Sequence, residues 1–138
     1  MGSTIRISVV ILLFVAFGLA ATPVFSGMMD GIVTGSLTGA GGHNASGTVA
    51  ITKDNNGRIV LNMADIRVDR VPDGRVYLAK NGDYMQGVEL GKLTQFDGAV
   101  SFTIPTSVKP EDYDSVVIWC RKFDVEIGHA FFGKVMMK

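Results

Sequence analysis

Beyond Gly27 the chain alternates apolar and polar residues with a period of two almost throughout. In Thr48 to Lys53, Val49 and Ile51 face one way and Thr48, Ala50 and Thr52 the other, as in a half-buried strand. Arg58 to Met63 puts Ile59, Leu61 and Met63 on one face. Between the two runs lies Asp54-Asn55-Asn56-Gly57. Asn-Gly is a strong hairpin signal, because both central residues of a type I′ turn need positive φ. The same pattern predicts strands at Ile32–Leu37, Arg75–Ala79, Val88–Leu93, Ala99–Ile104, Ser115–Cys120, Phe123–Ile127 and Ala130–Val135. Asp73-Gly74, Asn81-Gly82, Asp97-Gly98 and Gly128 punctuate them. The one helical turn expected is Lys109 to Tyr113, with Pro110 at a first helical position. Asp65 to Asp73 is polar and broken by Pro72, which predicts a loop or edge segment. About eight or nine short strands with no long segment of helical period predict an all-β fold, a compact antiparallel sandwich or barrel.

The N-terminus follows another pattern. After Arg6, Ile7 to Ala21 carries Ser8 as its only polar side chain. About 15 apolar residues fit a signal-peptide core better than a full span of ~20. Small residues offer cleavage after Ala20 or after Ser26, and Pro23 would break a continuing helix. The expected organisation is a signal peptide or uncleaved membrane anchor over 1–26 and a single β-domain over 27–138. The destination is then secreted, periplasmic or extracellular, with tethering by the N-terminal helix as the alternative. The signal contains no cysteine that could carry a lipoprotein anchor. The 13 basic and 13 acidic side chains cancel, which gives no argument for a nucleic-acid partner. Membrane contact is expected only through the N-terminal segment.

Export sharpens the position of the single cysteine, Cys120. A lone thiol cannot form an internal disulfide, so the fold must rest on its apolar core. Cys120 ends the apolar run of Tyr113 to Phe123, YDSVVIWCRKF, directly after the single tryptophan, Trp119. Odd positions from Val117 read Val117, Trp119, Arg121, Phe123, Val125 and Ile127; even positions read Val116, Ile118, Cys120, Lys122, Asp124 and Glu126. Both faces are apolar before Cys120, and only the odd face is apolar after Phe123, so the thiol lies where one face turns from buried to wet. Arg121 and Lys122 would stabilise a thiolate if their charges lay near the sulfur. The competing reading is a small buried hydrophobe.

Other constellations are sparse. Cys120, His43, His129 and Met136 or Met137 contain the residue types of a blue-copper site, but a strand-like FDVEI separates Cys120 from His129. His129 is expected as a turn residue after Gly128. His43 lies in a glycine-rich loop, Gly39 to Gly47, that matches neither a dinucleotide fingerprint nor a phosphate loop. Asn44-Ala45-Ser46 is a glycosylation sequon, meaningful only in a eukaryotic secretory route. The carboxylates at 65, 69 and 73 and at 111, 112 and 114 are expected on solvated loops. Hydrolase motifs are absent, so no catalytic set assembles.

Several segments together resemble the DM-thirteen domain, a Skeletor-type extracellular module associated with electron transfer. They are GSLTGAGGHNASGTVAI (Gly35 to Ile51), VYLAKNGDYMQGVELGKL (Val76 to Leu93), the FTIP of Phe102 to Pro105, and YDSVVIWCRKFDVEIGHA (Tyr113 to Ala130). The last is the most specific, with a tyrosine, then S-V-V-I-W-C, two basic residues, Phe and a closing Gly-x-Ala. The resemblance implies a compact β-domain, exported or membrane-tethered. It places the family's characteristic cysteine on Cys120 and its His-x-x-x-Gly on His43 and Gly47. It names no donor, acceptor or cofactor. One segment departs: Asn62-Met63 and Val71-Pro72-Asp73-Gly74 stand where the family has Asn-Phe or Asp-Phe followed by Gly-Pro-Asp.

Two functions remain open from the sequence. One is a redox or ligand-binding domain centred on Cys120 and His43, with Trp119, Arg121, Lys122 and Tyr113 in support and a redox partner protein or other extracellular protein outside. The other is a non-catalytic interaction or scaffolding domain in which Cys120 and Trp119 are core.

Overall fold

The alternating runs pair into one continuous sheet. The computed structural model describes residues 33–133; the expected signal or anchor at 1–26, and Met136 and Met137, lie outside the described residues. The strands are β1 (Val33–Ser36), β2 (Thr38–Gly39), β3 (Ala45–Lys53), β4 (Ile59–Val68), β5 (Gly74–Lys80), β6 (Asp83–Lys92), β7 (Asp97–Thr103), β8 (Ser115–Cys120) and β9 (Val125–Gly133). All the pairings are antiparallel, in the order β6-β5-β8-β9-β1-β3-β4-β7, with β2 added on β9. The sheet curls into a half-barrel. Gly91 of β6 and the Phe102 ring of β7 approach so closely that a Cβ on Gly91 would meet the ring at 3.1 Å, yet no ladder joins these edges among the described residues. The fold is thus a single curled sheet, neither two stacked sheets nor a closed barrel.

Curvature comes from bulges. Gly47 (φ +127°) and Asp65 (φ 52°) stand at register shifts in the neighbouring strands β3 and β4. A Cβ on Gly47 would lie 2.8 Å from the Ile66 Cα, so glycine is required where the bulges nest. Asp65 to Val68 therefore belongs to β4, an interior strand, rather than to a loop or edge. The polar residues there mark a bulge, which loses its alternation for the same reason a loop does.

The turns also redistribute the sequence signals. At Asp54–Gly57 the Gly57 amide donates to the Asp54 carbonyl at 3.0 Å, and only Gly57 has positive φ. This is a type I turn closed by a bulged glycine, not type I′. The Asp54 carboxylate accepts from the amides of Asn56 (2.8 Å) and Arg58 (2.9 Å), which selects that geometry. The type I′ pair is Asn81-Gly82, with φ of 56° and 73°, closing β5 onto β6. Pro110–Asp112 forms the expected helical turn, as 3-10 helix.

The concave face of the sheet holds the core. Leu61 and Met63 (β4), Val76 and Leu78 (β5), Val116, Ile118 and Cys120 (β8) and Ile127 (β9) are its buried apolar centre. The expected strands at Phe123–Ile127 and Ala130–Val135 merge into β9. Gly128 lies inside that strand rather than ending it, because the Thr38 carbonyl and the Ala45 Cβ both pass 2.8 Å from where its side chain would be. His129 is consequently a mid-strand residue.

Candidate functional site

Strand β8 presents two chemically different faces. Inward, Cys120 is 0% exposed and joins the core after Val116 and Ile118. Its register partners are Gly74 on β5 and Val125 on β9. The expected buried-to-wet change occurs immediately after it, in the turn of residues 121–124, where Phe123 is 61% exposed. The alternation alone predicts Phe123 on the apolar face. The chain reverses there, with Asp124 at φ 55°, and carries the ring out to solvent.

Outward, Trp119 is flanked in register by Arg75 and Glu126. The Tyr84 ring stacks on the indole, with centroids 4.0 Å apart and planes at 24°. Tyr77 meets Tyr84 edge-on at 5.3 Å. Burial pushes the Tyr84 phenol above its ordinary pKa, assisted by the nearby Asp124 carboxylate. A charge cluster borders these rings. Arg75 reaches Asp73 at 2.6 Å and Glu89 at 2.8 Å, and Glu89 also takes the Arg121 guanidinium and lies 3.4 Å from the Tyr77 hydroxyl. The hydrogen bond from Arg75 holds the Asp73 carboxyl below its usual range.

The residues expected around Cys120 divide between locations. Arg121 is engaged by Glu89 in the outer charge cluster. The Lys122 ammonium lies 5.8 Å from the Phe123 ring, on an exposed turn. Tyr113 precedes the opposite end of β8, roughly 20 Å away at ~3.3 Å per residue, with Lys80 over its ring at 5.6 Å. His43 is partly exposed on the turn after β2, its Nδ1 3.9 Å from the Asp69 carboxylate. That carboxylate also accepts the Asn44 amide at 2.8 Å. No hydrogen bond links His43 to Cys120 among the described residues. No group of three His, Cys, Asp or Glu suited to a metal occurs among them either.

A family model described as electron transfer DM13 matches residues 37–132. The chain belongs to the DM13 family. The match takes in β2 to β8, nearly all of β9, and both Cys120 and His43. No curated protein and no solved structure matches this DM13 domain.

Sequence reasoning missed the outer row. Tyr77, Tyr84 and Glu89 lie in the segment quoted for the resemblance, but their meeting with Trp119 depends on β5 pairing with both β6 and β8. It also missed the pairing of Glu126 with His129, joined at 2.5 Å through the His129 Nδ1. Their i,i+3 spacing puts side chains on opposite faces of a regular strand. The register shift opposite Ile118 and Trp119 brings them together.

Proposed function

We propose that this DM13 domain is exported and exchanges electrons with a redox partner protein, with β8 as its working element and the Trp119–Tyr84 stack as the exchange point. The 4.0 Å ring stack carries this reading, since it sets a delocalised π system against the outer face at the residue adjoining Cys120. Exchange is outer-sphere: the Trp119 indole gives one electron to a one-electron acceptor on the partner, and the resulting radical cation is refilled by a one-electron donor, with no bond formed or broken. Cys120 follows the indole in the chain and faces the core side, fully buried. The thiol-centred form of the redox reading, with Cys120 and His43 as the working pair, requires the turns at that end of the domain to open.

Photogenerated ruthenium(III) tris-bipyridine, a one-electron oxidant, separates these forms. Trp119→Leu is expected to slow oxidation of the folded protein about tenfold, an activation difference of ~1.4 kcal/mol, while Cys120→Ala leaves it unchanged. The opposite pattern would make the thiol the working atom. The complete burial of Cys120 favours a second reading, an interaction or scaffolding domain with a cysteine core, and that reading stands if neither substitution changes the rate.

A further inference from the structure

On the outer face of the sheet, β1, β2, β3 and β9 border an open hollow of about 500 Å³. That is within the range of roughly 300–1,000 Å³ usual for small-molecule sites. Its side chains are Thr34, Ser36, Thr38, Thr48, His129 and Phe131, and the glycines Gly35 and Gly133 leave backbone exposed between them. Four of these are hydroxyls on exposed positions. Among the described residues no lysine, arginine, aspartate or glutamate lines the hollow, so they offer an anion no fixed positive charge and a metal no carboxylate.

Two side chains give the hollow direction. The Glu126 carboxylate, outside the lining, holds the His129 Nδ1 at 2.5 Å. In the tautomer that donates the Nδ1–H to this carboxylate, Nε2 is left as an acceptor for a hydroxyl. Phe131 is 50% exposed and meets His129 edge-on at 5.5 Å. A Cβ on Gly82 would lie 3.0 Å from the ring tip, so the ring is braced on the β5–β6 turn while part of its surface stays open. Half-exposed aromatic surface beside a row of hydroxyls suits a ligand with one apolar face and many hydroxyls.

We propose that this hollow binds a neutral saccharide, the end of a glycan chain. The Phe131 ring packs against the C–H face of the sugar. The hydroxyls of Thr34, Ser36, Thr38 and Thr48 and the His129 Nε2 exchange hydrogen bonds with its rim. The site is independent of the electron-exchange reading and uses none of its residues.

The test is an amide chemical-shift titration of the 15N-labelled full chain with cellobiose and with N,N′-diacetylchitobiose, and with sorbitol as a flexible polyol control. At least one disaccharide is expected to give saturable shifts centred on Thr34, Ser36, Thr38, His129 and Phe131, while sorbitol gives none. Phe131→Leu and His129→Gln should each weaken binding about tenfold, or ~1.4 kcal/mol, with an unchanged melting temperature for His129→Gln. If Phe131→Leu disturbs folding, Thr38→Val on the exposed rim replaces it. The proposal is overturned if neither disaccharide shifts these amides, if sorbitol shifts them equally, or if the affected amides cluster elsewhere.

Discussion

The two faces of β8 are covered by opposite means. The inner face, Val116, Ile118 and Cys120, is apolar and sealed, and among the described residues no charged side chain is buried with it. The outer face is covered by other side chains of the same sheet: Val117 lies between Tyr77 and His129, and Trp119 beneath Tyr84, bordered by Arg75, Glu89 and Arg121. Inner packing depends on volume, because a close-packed interior registers the loss of even one methylene. Outer packing depends on ring geometry and charge, which tolerate water. The cysteine that dominates the sequence belongs to the face with the least chemical variety.

That contrast can be broken in stages. Ile118→Ala should be the most damaging, lowering unfolding free energy by ~2–5 kcal/mol in urea titrations because the curled sheet cannot close the cavity. Cys120→Ser should cost about 1–3 kcal/mol by burying a hydroxyl with no partner, and Cys120→Ala less. Equal tolerance of serine and alanine would show that water reaches the site. On the outer face, Tyr84→Leu should cost ~0.5–1.5 kcal/mol beyond its lost area, the worth of an aromatic pair. It should also change the Trp119 fluorescence, which the inner-face substitutions should leave alone.

Reaction with iodoacetamide probes the same division. Cys120 should label at the rate of global opening, so labelling should accelerate in step with urea unfolding. Fast labelling well below the unfolding midpoint would place the thiol under a local gate. The smallest effect concerns pH. Asp73 and Asp54 have folded pKa values held below their unfolded values, Asp73 chiefly by the Arg75 hydrogen bond and Asp54 chiefly by the Arg58 amide. Their contribution is present above the unfolded value of about 4 and is lost as pH falls through the folded value. The urea midpoint should decline over that acidic window. Asp73→Asn should flatten part of the decline, and added salt should shrink it.

How much was legible follows from the range of each interaction. Period-two patterning located at least part of every strand except β2, since alternation is written in neighbouring residues. It failed at Asp65 and Gly128, where a bulge and a close backbone crossing replace alternation with constraints from a distant strand. Cys120 was placed at a burial boundary correctly, and its residue pattern could not say on which side the sulfur falls. The tie between Arg121 and Glu89, like the stack of Trp119 on Tyr84, spans more than 30 residues and exists only once β5 has paired on both edges. His129 was read as a turn residue because glycine usually ends a strand; here β2 needs the empty space above Gly128.

The first and last described strands lie side by side, with Thr34 opposite Gly133. The chain thus enters and leaves the domain through one doorway, and no strand needs a free end to reach its place. Such a module can be spliced into a longer polypeptide like a bead on a folded loop, or rewired by joining its ends with a short linker. New termini cut at the exposed Asn56-Gly57 turn should then still give the same sheet.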